Sequence, residues 1–180
     1  KQQPDIICIQ ETWLNKGKKP PKIKEYNTTI IKNRSTDNKK AGGLITYVHN
    51  SIHEIKEIPI TPQNDKLEIQ GINIKIQNTQ YNIYNIYDPP THNLDNTPTI
   101  QQIFNNNPKT ILCRDFNAHN KAWGSQYSNK RGNRIQKLTQ RKQIIILNDG
   151  SPTRLNTSTG RLTPPELTLI SKDLKQKKKK

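Results

Sequence analysis

The run Lys109 to Asn120, KTILCRDFNAHN, gathers groups that can do chemistry. An apolar stretch, Thr110-Ile111-Leu112-Cys113, leads into Asp115, Asn117 and His119, which alternate at every second residue. In an extended chain that spacing places all three on one side. Ligands of open α/β sheets sit outside the carboxyl ends of strands, where these groups emerge. A carboxylate, an amide and an imidazole there could position a metal-bound phosphate and an attacking water. Asp and Asn are also ordinary turn formers, so the same letters fit an Asx-rich turn after a buried strand. Two further strand ends carry suitable groups. Pro4 to Leu14, PDIICIQETWL, reads as a buried strand over residues 5–10 with Glu11 at its exit, and a carboxylate there suits Mg²⁺, a hard cation that takes oxygen. The third, YNIYNIYDPP, places Tyr87 just before Asp88-Pro89-Pro90. Tyr81, Ile83, Asn85 and Tyr87 share one face of it, and the proline pair ends it because neither residue can donate to a ladder.

Taken in order, PDIICIQETWL, AGGLITYVHN, NIYNIYDPP, RDFNAHNKAWGS, NKRGNRIQKL and PTR…LTPPELTLIS resemble the endonuclease/exonuclease/phosphatase superfamily. More narrowly they resemble the apurinic-type endonuclease domain of jockey-like insect non-LTR retrotransposons. The resemblance implies that Glu11 binds the divalent metal, Mg²⁺ or Mn²⁺. It implies that Tyr87 contacts the scissile phosphate, and that Asp115 and Asn117 position and activate water and substrate. It implies a further catalytic residue at Glu166, in PPELT, where the family carries Asp, one methylene shorter, so that its hydrogen bond to a partner His is expected to be misplaced. Arg114 stands where the family has Gly before Asp. An Arg there is expected to swing away or fill part of the site, and a left-handed backbone at that position would be strained. The family's first catalytic strand and its closing Ser-Asp-His motif lie outside this sequence. With no Met among its 180 residues, the chain is expected to be a piece of a longer reading frame, truncated at both ends.

The elements that must position these residues follow from periodicity. Gly42-Gly43 opens a strand, Leu44 to His49, with Ile52 to Ile58 as its expected hairpin neighbour. Lys66 to Gln77 alternates as a strand, with Gly71 as a bulge. A strand follows over Tyr81 to Tyr87, then a short helix from Thr97-Pro98 to Phe104. After the Asp115 strand a helix is expected behind Gly132, capped by Asn133 and reaching about Gln143. Short strands are expected at Ile144–Leu147 and Glu166–Ser171. Lys16–Lys24 and Lys32–Lys40 read as basic loops. The fold class expected is a four-layer α/β sandwich of two mixed β-sheets flanked by helices, incomplete at both termini. Residues 1–174 would form the partial domain and 175–180 a basic tail.

Net charge is +16, which fits a polyanionic partner, although A/T-rich codons also yield Lys, Asn and Ile. Hydrophobic residues make up 29%, so a core is thinly supplied and the fold expected to be marginal. Cys8 and Cys113 fall within apolar strands and read as small hydrophobes in a reducing, intracellular, non-secreted setting. No apolar run approaches the ~20 residues that span a bilayer. His119, Arg131, Thr153 and Arg154 are candidate substrate contacts, while Trp123 is expected to pack beneath the site loop.

The reading is a Mg-dependent endonuclease domain that nicks DNA to leave a 3′-hydroxyl primer. Its partners would be DNA and the reverse transcriptase portion of the same polyprotein, with no membrane, and it would be nuclear when acting on DNA. Without the outlying catalytic segments the isolated chain is expected to be weak or inactive. Two rivals stay open: a degenerate remnant that only binds nucleic acid, and a phosphatase or repair nuclease of the same superfamily.

Overall fold

A computed structural model describes residues 3–14, 17–32, 42–61, 67–89, 95–105, 108–141, 144–151, 154–155, 162–163 and 166–175. The chain divides into two compact units, Lys1–Tyr87 and Asp88–Lys180.

The first unit holds β1 (Ile6–Gln10), β2 (Tyr26–Lys32), β3 (Leu44–His49), β4 (Ile55–Glu57), β5 (Glu68–Ile76) and β6 (Thr79–Tyr87). One antiparallel sheet runs β1-β3-β2, and a second group runs β4-β5-β6. β3 and β1 pack on β5 and β6, so the unit is a two-sheet sandwich. β3 is central, and Leu44, Ile45, Tyr47 and Val48 are buried on both its faces. β5 and β6 form a hairpin in register Ile76↔Thr79, closed by Gln77 and Asn78 at φ 45° and 65°. Positive φ at both loop residues matches the turn to the twist of the two strands.

A polar seam crosses this sandwich. Asn85 on β6 accepts from Gln10 Nε2 at 2.7 Å and donates to the Ile9 and Ile45 carbonyls at 3.2 and 3.1 Å. The Thr46 hydroxyl donates to Gln70 Oε1 at 2.8 Å, and Gln70 Nε2 donates to the Leu44 carbonyl at 3.0 Å. Glu68 accepts from the Gly43 amide at 2.7 Å. Buried amides and carbonyls need such partners, and the seam locks the relative register of the two sheets.

The second unit holds α1 (Thr97–Asn105), β7 (Thr110–Asp115), α2 (Lys130–Arg141), β8 (Ile144–Ile146), β9 (Arg154–Leu155), β10 (Leu162–Thr163) and β11 (Glu166–Ser171). β11 pairs antiparallel with β7 on one side and β8 on the other, and β9 pairs with β10. α2 packs on α1 and β8, burying Ile135 and Leu138, while α1 buries Ile100 and Ile103. Among the described residues, no helix is long and apolar enough to cross a membrane.

Several sequence expectations are corrected. Residues 52–58 do not form a hairpin with β3; β4 pairs with β5 instead, because β3 already has β1 and β2 on its edges. β2 stands where the sequence pattern predicts no strand. Gly71 sits in regular register with Tyr84 and makes no bulge. It is a glycine because a Cβ there would lie 2.9 Å from both Ile60 Cδ1 and Tyr84 Cε1. β1 is an edge strand and only half-buried. α2 begins at Lys130, and its cap is Asn129, whose Oδ1 accepts from the Gly132 amide at 2.8 Å. Gly132 is therefore helical, and a Cβ on it would fall 1.9 Å from the His119 carbonyl oxygen. The basic stretch 33–40 and residue 16 lie outside the described residues.

Candidate active site

Each unit holds a cluster of the expected residues of its own. In the first, β1 ends at Gln10, and Glu11 turns out of the strand at φ 53°. The Tyr87 hydroxyl, at the end of β6, donates to Glu11 Oε1. Tyr87 is 3% exposed, whereas Glu11 is exposed. Asn85, two residues before Tyr87 on the same face of β6, holds Ile9 and Gln10, so a single strand fixes both the carboxylate's base and its hydrogen-bond donor.

In the second unit, burial alternates along 111–120: Leu112, Arg114, Phe116, Ala118 and Asn120 are buried, while Asp115, Asn117 and His119 are half-buried on the other side. An Asx turn follows the strand, as the residue types also allow. Asp115 Oδ1 accepts from the Asn117 amide at 3.0 Å, with Asn117 at φ 46°. Asn117 Nδ2 donates to the Asp88 carbonyl at 3.3 Å. Asn129, which sequence reasoning missed, anchors the turn: its Nδ2 donates to the Asn117 carbonyl at 2.9 Å, and its Oδ1 accepts from the His119 amide at 3.2 Å. The signal was available, since Asn129 opens the NKRGNRIQKL segment where a cap belongs.

Arg114 does not enter the site. It lies on the buried side of β7, and its Nη2 donates to Asp88 Oδ2 at 2.6 Å. Its guanidinium covers the Phe116 ring at 3.7 Å. The expected strain is absent there too; the left-handed residues near the motifs are Glu11, Trp13 and Asn117. Burial pushes the Arg114 pKa down to about 10 while Asp88 opposes the fall, so the side chain stays charged at neutral pH.

Arg131 reaches the Asp88 and Pro89 carbonyls at 3.3 and 2.9 Å and lies 3.4 Å from Asp88 Oδ2. His119 stacks on the exposed Tyr127 ring with centroids 4.6 Å apart, and burial lowers its pKa. Glu166 is exposed and sits opposite Asp115 in the β7–β11 register. Arg154 lies in β9 opposite Thr163, and Thr153 falls outside the described residues. Trp123 is buried, its Nε1 donating to the Ala118 carbonyl at 3.2 Å. Among the described residues, no group of three or more acidic, His or Cys side chains gathers as a metal cage.

A family profile described as endonuclease–reverse transcriptase matches residues 81–180, and the chain belongs to that family. It is similar to a probable RNA-directed DNA polymerase from transposon X-element of Drosophila melanogaster, 27% identical over 153 residues. That match covers 83% of this chain but 16% of the polymerase, so the chain spans about a sixth of its relative. Among solved structures it resembles the endonuclease domain of TRAS1, a telomere-specific non-LTR retrotransposon (TM-score 0.66, 16% identity, 81% of this chain and 68% of that one). It also resembles an endonuclease/exonuclease/phosphatase family protein from Leptotrichia buccalis (TM-score 0.57, 15% identity, 93% and 75%). The α/β fold of that superfamily, expected from the sequence motifs, is the fold of this chain.

Proposed function

We propose that this chain is the endonuclease part of a non-LTR retrotransposon polyprotein, a metal-dependent phosphodiesterase that nicks target DNA and leaves a 3′-hydroxyl for reverse transcription. The observation that carries the proposal is the hydrogen bond from Tyr87 to Glu11, which holds an exposed carboxylate in a fixed orientation at a strand exit. One carboxylate suits Mg²⁺ or Mn²⁺, because Mg²⁺ keeps most of its waters and takes a few carboxylate and phosphate oxygens. A metal held at Glu11 would supply Lewis-acid neutralisation of the phosphate.

The chain's own residues would do the rest. Tyr87 would steady Glu11 in the free chain and turn its one hydroxyl proton to a phosphate oxygen when substrate binds. Asp115 would orient the attacking water and accept its proton, with Asn117 helping to hold that water and the phosphate. Glu166, opposite Asp115 in the sheet, would act as a further catalytic carboxylate. His119, Thr153 and Arg154 would contact the DNA backbone, and Arg131 would contribute positive charge there while fixing Asp88 and Pro89. Residues 1–174 would act as the partial catalytic domain and 175–180 as a basic tail. The partners would be DNA and the reverse transcriptase portion of the polyprotein, and the setting nuclear. The isolated chain is proposed to be a weak enzyme, since Glu166 stands where the resembling family has the shorter Asp.

Supercoiled-plasmid nicking in Mg²⁺, beside an EDTA control and Asp115→Ala, tests the proposal. Metal-dependent nicking lost in Asp115→Ala supports it. Salt-sensitive DNA binding by a folded chain without any nicking, even after extension with flanking sequence, would replace it with a non-catalytic nucleic-acid-binding remnant.

A further inference from the structure

We infer that Trp13 is a nucleobase-stacking residue, placed beside Glu11 to hold a DNA base next to the phosphate. The inference rests on the proposed nuclease reading for the role of Glu11, but its own observations are separate. Trp13 is 59% exposed, the most exposed of the large hydrophobic side chains among the described residues. An indole held in water in this way offers a flat π-face on which a planar ligand can stack.

Its exposure is built rather than loose. Glu11 and Trp13 both adopt left-handed backbone, at φ 53° and 54°, a conformation that costs an L-residue free energy. Two hydrogen bonds hold it: the Thr12 amide to the Gly43 carbonyl at 3.2 Å and the Trp13 amide to the Gly42 carbonyl at 3.0 Å. The opposing Gly42 and Gly43 are themselves left-handed, at φ 82° and 96°. The Gly43 amide in turn donates to buried Glu68. The ladder between β1 and β3 therefore continues past Gln10 in a form that turns Glu11 and Trp13 outward as a pair.

Charge selects the partner. From Trp13 to Lys24 the sequence carries no carboxylate, and Lys18, Lys19, Lys22 and Lys24 are exposed. A flat π-surface followed by lysines fits a nucleic-acid strand, whose bases stack on aromatics while its phosphates meet the charge. An apolar protein partner would not need those lysines.

The test reads tryptophan fluorescence of the whole chain in EDTA, so no turnover is needed. Trp123 is 1% exposed, so emission open to acrylamide belongs to Trp13. A single-stranded oligonucleotide and an abasic strand of equal length are compared, with binding followed by anisotropy. The expected result is quenching and acrylamide protection by the base-bearing strand alone, with Trp13→Ala weakening its binding about ten-fold and Trp13→Phe much less. Equal response to both strands, or binding without quenching, overturns the inference while leaving plasmid nicking to decide the nuclease reading. Failure to bind either strand overturns this inference and removes the proposed DNA partner with it.

Discussion

Arg114 Nη2 and Asp88 Oδ2 lie 2.6 Å apart with both side chains buried, so the position where the resembling family has Gly is occupied by half of an internal ion pair. The strand's alternation makes this harmless to the site: the turn that bears Asp115 outward sends Arg114 inward. Arg131, 3.4 Å from the same carboxylate, completes the cluster.

Restoring the family's glycine should therefore harm this chain. Arg114→Gly leaves buried Asp88 with Arg131 alone, and breaking a buried pair from one side costs about 3–5 kcal/mol. Urea unfolding should show a loss towards the lower end of that range, since Arg131 remains. A double variant with Asp88→Asn should recover part of it.

Tyr87→Phe keeps the ring that packs in the sandwich but removes the hydroxyl on Glu11. Thermal unfolding should change little, while nicking in Mg²⁺ should fall about 10²-fold, as for loss of one aligned donor. Equal loss of stability and nicking would show that the hydroxyl serves the fold alone.

Asn129→Ala removes the α2 cap and two anchors of the Asp115–His119 turn. The cap alone is worth about 0.5–2 kcal/mol. Chemical denaturation should report at least that, and amide exchange at Asn117 and His119 should accelerate more than at residues of β7.

Gly132→Ala should be far more damaging than an alanine inside a helix usually is. Alanine favours helix by about 1 kcal/mol over glycine, yet its Cβ would sit 1.9 Å from the His119 carbonyl oxygen. The helix must shift, so the expected sign is net destabilisation, read by circular dichroism melting.

His119 sets a pH dependence. Burial lowers its pKa in the folded chain, so as pH falls the unfolded chain takes up the proton first. Its contribution is complete above the unfolded value near 6.5 and is lost as pH drops through the folded value. Urea midpoints measured from pH 8 to 5 should fall more for this chain than for His119→Gln.

Local pattern made much of this chain legible. Alternation located β5, and the strand ends carrying Glu11, Tyr87 and Asp115 were readable because each closes a short run rich in Ile, Leu, Cys or Tyr. Alternation also told which side Asp115, Asn117 and His119 take. Pairing was harder: nothing near residues 52–58 states that β4 must meet β5, since that depends on both edges of β3 being taken.

What the sequence determined by itself was the identity of the chemical groups, the strands that end on them and the overall charge, because these depend on neighbours one to four residues away. Tertiary structure alone decided the partners. Arg114 meets Asp88 across 26 residues, and Asn85 meets Gln10 across 75. Asn129 became a cap only because α2 starts before Gly132, where packing against the His119 carbonyl excludes any side chain. Hydrogen bonds and ion pairs of such range are made by packing two elements together, and no periodicity along one element encodes which buried polar group will face it.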